Sequence, residues 1–60
     1  MNIVKKALEF EKWFNSPLFP EDLEKADVED CVLAWADATG TDLGDKLGEI
    51  CYRIVELGIC

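Results

Sequence analysis

The most reactive side chains in this sequence are three cysteines, Cys31, Cys51 and Cys60. Thiolates attack electrophiles and bind zinc, but zinc sites built from cysteine usually contain closely spaced CxxC pairs, which are absent here. The odd number also does not fit the paired framework of a small secreted disulfide protein. We expect reduced thiols and no zinc site, with Cys31 and Cys51 in the core and Cys60 reactive at the terminus; an oxidised Cys31–Cys51 pair is the alternative.

A second candidate for chemistry is a calcium loop in the stretch DATGTDLGDKLGE. Oxygen-bearing side chains occupy its first, third, fifth and ninth positions, namely Asp37, Thr39, Thr41 and Asp45. The sixth position, which requires glycine, is Asp42, and the twelfth is Gly48 where the loop needs a glutamate. We therefore predict no bound calcium and interpret the segment as a turn between helices.

Catalytic groups are otherwise scarce. The chain has no histidine, so the usual acid and base at neutral pH is missing. Ser16, the single serine, stands beside a proline, and no glycine-rich phosphate loop follows a strand. Carboxylate pairs are available, but a bundle of this length offers no cleft for a sugar. We expect a protein that is not an enzyme and that uses no cofactor or metal.

The charge of the chain is strongly negative, −7 at pH 7. Such a charge argues against direct nucleic-acid binding, which requires clustered lysine and arginine. Residues 21–49 contain ten acidic side chains but only Lys25 and Lys46 as cations. We interpret this acidic half as a surface that is steered towards a basic partner protein; the alternative is a solvated face that only maintains solubility.

The hydrophobic pattern predicts an all-α fold in a single domain of residues 1–60. Apolar residues recur at helical spacing in three segments, and NSPLFP interrupts the pattern, with Leu18 and Phe19 expected beneath the bundle. Gly40 and Gly58 are expected to end helices, and Thr41 to begin the last one. The predicted bounds are about 2–15, 28–39 and 42–57, with a short additional helix at 20–26. No apolar run is long enough to span a membrane, and we expect a cytoplasmic protein.

The second predicted helix carries the most informative surface. Val28, Cys31, Val32 and Trp35 share one face, whereas Leu33 falls on the opposite face among acids. We predict that this face and the acidic segment before it bind the partner, through Glu21, Asp22, Glu24, Asp27, Glu29, Asp30, Leu33 and Asp37. The function expected is a small inhibitor or regulator, of the antitoxin, immunity-protein or viral host-regulator type, including the case of a DNA mimic.

The last predicted helix suggests a different function. Gly44 and Gly48, four residues apart, lie beside Val55 in a stripe of small and apolar residues. Glycine inside a helix costs about 1 kcal/mol relative to alanine, so such a pair is typical of close packing. The packing is either internal to the bundle or part of a self-interface. The alternative function is therefore a structural homo-oligomer, a homodimer in its simplest form, whose self-interface consists of this stripe and aromatic residues.

Overall fold

A computed structural model describes residues 2–59, and all of its regular structure is helical. Helix α1 covers Ile3–Phe14, α2 covers Val28–Thr39 and α3 covers Leu47–Glu56, with one turn of 3-10 helix at Glu21–Leu23 between α1 and α2. No strand occurs within residues 2–59. The predicted all-α bundle of three main helices is confirmed.

Helix α1 begins and ends through local hydrogen bonds. The side-chain oxygen of Asn2 accepts the backbone N–H of Lys5 at 3.0 Å, which satisfies one of the free donors of the first turn. After Phe14 the chain turns, because the hydroxyl of Ser16 donates to the carbonyl of Trp13 at 2.7 Å and accepts the N–H of Leu18 at 3.2 Å. This turn directs the chain back along the bundle.

The segment between α1 and α2 divides its two large apolar residues between core and solvent. The ring of Phe19 packs edge-on against Trp13 and Phe14, with centroids 5.3 and 4.7 Å apart. Leu18 was also expected beneath the bundle, but 77% of it is exposed, because the Ser16 turn points it outwards. The short helix predicted at 20–26 is a single 3-10 turn, Glu21–Leu23.

Helix α2 has the predicted bounds. Asp27 precedes its first residue in extended backbone, although its side chain makes no capping hydrogen bond. Gly40 ends the helix with a φ of 67°, and the N–H of Thr41 donates to the carbonyl of Ala36 at 2.9 Å. A left-handed residue of this kind is most accessible to glycine.

Helix α3 begins at Leu47, so the predicted start at residue 42 and the role of Thr41 as its N-cap are wrong. Asp42 folds its carboxylate over the turn and accepts the N–H of Gly44 at 3.0 Å, while Gly44 takes a φ of 55°. This left-handed residue is incompatible with a continuous helix. Leu43 is nevertheless buried, because the loop itself directs it into the core.

The core is built on α3, which packs against both α1 and α2, while those two contact each other less. Four large side chains are completely buried: Phe10 from α1, Val32 from α2, and Ile50 and Ile54 from α3. The rings of Phe10 and Trp35 also pack nearly at right angles, with centroids 5.8 Å apart. No helix in the described part of the chain is long and apolar enough to cross a bilayer.

The position at which α3 begins can be tested with two alanine substitutions. Gly44→Ala should lower the free energy of unfolding by about 1 kcal/mol, because alanine resists the left-handed conformation. Gly48→Ala should raise it by about 0.5 kcal/mol, because Gly48 is helical and open space surrounds the site of the added methyl group. Urea unfolding followed by tryptophan fluorescence measures both. A gain in stability from both substitutions would instead support a helix that starts at residue 42.

Candidate protein-binding surface

The residues predicted to bind a partner are all exposed in the structure. We call them the acidic surface; it consists of Glu21, Asp22, Glu24, Asp27, Glu29, Asp30, Leu33 and Asp37. The first three lie in or just after the 3-10 turn, Asp27 precedes α2, and the others lie on α2. The whole set thus lies on the 3-10 turn, on the link that follows it and on α2.

The helical repeat of α2 separates this surface from the core. Cys31, Val32, Trp35 and Ala36 are buried, and Asp30 and Asp37 project from the opposite side at a spacing of two turns. Leu33 lies between them and is 46% exposed. An apolar side chain therefore stands in the middle of the acidic face.

The 3-10 turn is attached to the beginning of α2. The thiol of Cys31 donates to the carbonyl of Leu23, with sulfur and oxygen 3.5 Å apart. Leu23 and Ala26 pack against the core from the same segment. These contacts hold the acids of the turn next to the first turn of α2 and make the acidic surface continuous along the chain.

The negative charge of this surface is not neutralised by neighbouring cations. Within residues 2–59 the ion pairs are Lys6–Glu9, Lys46–Glu49 and Arg53–Glu56, and none of them involves the acidic surface. Lys25 is the one cation among residues 21–37. Seven carboxylates thus face solvent with little local compensation, which produces a strong negative potential at short range.

The two described cysteines are free thiols with raised pKa values. Burial raises the pKa of Cys31, and the charges of Asp30 and Asp27 raise it further. For Cys51, burial is again the main cause, followed by the charge of Glu29. Both thiols are therefore protonated and weakly nucleophilic at neutral pH. The predicted burial of Cys31 is confirmed and Cys51 is partly buried, whereas Cys60 lies outside the described residues.

The described residues do not form a cluster of metal ligands. No group of three histidine, cysteine, aspartate or glutamate side chains in residues 2–59 is arranged to hold an ion. In the segment considered for calcium, the hydroxyls of Thr39 and Thr41 hydrogen-bond to each other at 2.7 Å, and the carboxylate of Asp42 caps the turn at Gly44. These groups stabilise the loop.

The small-residue stripe predicted on the last helix does not form. Gly44 belongs to the turn before α3, so Gly44 and Gly48 do not share a helix face. Nothing lies within 4 Å of the position that a Cβ at Gly48 would occupy, so this glycine does not mark close internal packing. Val55 is exposed, and self-association through it and Gly48 stays a prediction.

Sequence reasoning missed a second surface feature, an open hollow of about 550 Å³. Trp13 from α1, Leu18 from the following turn and Trp35 from α2 contribute to its walls. The helical pattern places Trp35 on the same face of α2 as Val28, Cys31 and Val32 and gives no indication of an open hollow. The hydrophobic periodicity does not indicate the path of the turn after α1, which places Leu18 at the same hollow as Trp35.

The raised thiol pKa values predict how stability depends on pH. The folded state holds the thiol protons more tightly than the unfolded state, so this contribution is fully present below the unfolded pKa of 9.0 and is lost as the pH rises through the folded values. Urea unfolding at about pH 8 and about pH 10 should show a larger loss of stability for the wild type than for Cys31→Ala. An equal loss in both proteins would contradict the assignment to Cys31.

Comparison with protein-family models, with curated proteins and with solved structures finds no match to this chain. Its function is therefore inferred from the chemistry of its own surfaces.

Proposed function

We propose that this protein acts without catalysis, by binding its acidic surface to a basic face of another protein and thereby inhibiting or regulating that protein. The observation that carries the proposal is an exposed leucine, Leu33, among carboxylates that form no ion pair within residues 2–59. This arrangement resembles the general anatomy of interfaces, in which an apolar centre is surrounded by a polar rim.

The two kinds of residue would contribute differently to binding. Burial of Leu33 in a pocket of the partner removes apolar area from water and slows dissociation. The surrounding acids increase the rate of encounter with a positively charged surface, and this effect weakens as salt is added. The proposal therefore predicts binding that depends on salt mainly through its association rate.

An ordinary basic protein surface fits better than a cleft that binds DNA. A duplex backbone presents no apolar projection in the position of Leu33, which is 46% exposed among the acids. This difference favours a partner with cations around an apolar pocket over strict phosphate mimicry.

The free thiols bear on the cellular compartment in which this interaction would take place. Cys31 and Cys51 are both in the free form. Free thiols persist in reducing compartments, where cellular reductants prevent disulfide formation. We therefore include a cytoplasmic location in the proposal.

The binding surface can be tested with two leucines of similar exposure. Leu33 is 46% exposed and Leu8, on α1, is 49% exposed, so Leu33→Asp and Leu8→Asp introduce the same change at two sites. The immobilised wild-type protein is used to capture binding proteins from a lysate of the cells that express it. Each captured protein is then identified and purified. Leu33→Asp should weaken binding of the purified partner by about tenfold or more, because apolar interface centres dominate affinity. Leu8→Asp should leave it unchanged.

A second pair of variants tests the role of charge. The double variant Asp30→Asn/Asp37→Asn should lower the association rate and its salt dependence, while Asp45→Asn, outside the acidic surface, should change the rate less. Stopped-flow fluorescence or surface plasmon resonance measures these rates. Equal effects of Leu33→Asp and Leu8→Asp, or a captured partner whose association is indifferent to salt, would overturn the proposal.

A further inference from the structure

The outer face of α2 is open to solvent along the whole helix. Asp30, Leu33 and Asp37 are exposed on it, Ala38 is exposed beside them, and Ala34 is partly buried. The helix has 12 residues, so this face extends for about 18 Å. It is therefore long enough to contact a regular element of another protein over about three turns.

Two carboxylates stand at a defined spacing on this face. Asp30 and Asp37 are seven residues apart, which separates them by about 10.5 Å along the axis and returns them to within about 20° of the same direction. Leu33 lies between them along the helix. Neither carboxylate forms an ion pair within residues 2–59. The face thus presents two unneutralised charges with an apolar side chain in between.

The spacing of the two carboxylates favours a helix as the element that binds them. Side chains seven residues apart on a second helix are also about 10.5 Å apart along the axis and face one direction. On one face of a β-strand, side chains are instead about 7 Å or about 13 Å apart, so two cations of a strand do not match Asp30 and Asp37. A helix that lies along α2 places two cations opposite both carboxylates at once.

Small side chains on the same face permit a helix to approach closely. Ala34 and Ala38 are one turn apart and flank the line from Asp30 to Asp37 on the side away from Leu33. Packed helices have axes about 8–10 Å apart, and the side chains at the contact set the distance. An apolar side chain of a second helix can therefore contact Leu33 and Ala34 while its cations reach the carboxylates.

The negative charge is concentrated at one end of this face. Glu29 and Asp30 lie in the first turn of α2, and Asp37 is the one carboxylate of the acidic surface beyond that turn. The hydrogen bond from Cys31 to the carbonyl of Leu23 holds the acids of the 3-10 turn at the same end. A helix with additional cations near one terminus complements this asymmetry.

We infer, on the basis of the proposed function, that the acidic surface binds a basic amphipathic α-helix of the partner protein. This helix carries two cations seven residues apart with an apolar residue between them. Arginine is the cation that fits best, because its guanidinium donates two parallel hydrogen bonds to a carboxylate such as that of Asp30 or Asp37. The apolar residue covers the exposed part of Leu33 and removes it from water.

Two synthetic peptides test the spacing directly. The matched peptide is acetyl-Ala-Ala-Gln-Ala-Ala-Arg-Gln-Ala-Leu-Ala-Gln-Ala-Arg-Ala-Gln-Ala-Ala-Gln-Ala-amide. In the control peptide the second arginine is exchanged with the glutamine two residues later, which keeps composition and charge but points the two arginines to opposite sides of the helix. Backbone amide resonances of α2 in the reduced ¹⁵N-labelled protein report binding. The matched peptide should bind at least about fivefold more tightly, because both of its arginines meet a carboxylate.

Two double variants with the same change of charge locate the contact. Asp30→Asn/Asp37→Asn should weaken binding of the matched peptide by about fivefold or more. Glu21→Gln/Asp22→Asn removes two carboxylates from the same acidic surface but none from α2, and it should weaken binding by less than about twofold. The charge-reversed variant Asp30→Arg/Asp37→Arg should instead bind the peptide that has glutamate in place of both arginines.

Equal binding of the matched and control peptides would overturn the inference, as would an equal loss in the two double variants, because binding would then follow charge alone. Amide resonances of α2 that stay fixed at millimolar matched peptide would also overturn it. These outcomes leave the proposed function in place as long as Leu33→Asp weakens binding of the captured partner. Failure of the proposed function is seen separately, as a captured partner that binds Leu33→Asp as tightly as the wild type.

Discussion

The packing of α3 between α1 and α2 is the constraint on which the rest of this structure depends. Phe10, Val32, Ile50 and Ile54 are the largest completely buried side chains, and two of them come from α3. A chain of 60 residues buries roughly 60% of the surface that its unfolded form exposes, a smaller share than larger domains bury, so each of these contacts matters to stability. Each helix contributes one stripe of apolar side chains to such a core. Its other face is either solvated or used to bind another molecule.

Both surfaces described above follow from this constraint. Helix α2 directs Val32 and Trp35 inwards, which leaves Asp30, Leu33 and Asp37 on its outer face. At the carboxyl-terminal ends of α1 and α2, Trp13, Trp35 and Leu18 from the turn after α1 line an open hollow. The acidic surface depends on helical periodicity, whereas the hollow depends on how the elements are assembled.

That difference explains what could be predicted from the sequence. The bounds of α2 follow from local signals, Asp27 before the helix and Gly40 after it, and exposure of the acids on its outer face follows from its period. The start of α3 could not be predicted in this way, because Thr41 and Asp42 resemble a helix cap and Leu43 fits the apolar pattern. The chain forms a turn at Gly44, and not a helix from residue 42, because Asp42 caps the turn and because the loop still buries Leu43.

The central claim is that this chain covers its own core and keeps the face around Leu33 free for a different protein. Light scattering of the reduced protein over a dilution series tests it most directly, with reductant present so that Cys60 cannot crosslink chains. We expect a monomer of 6.8 kDa at every concentration. A stable dimer that Leu33→Asp converts to monomer would contradict it, because the acidic surface would then be the self-interface of a homo-oligomer.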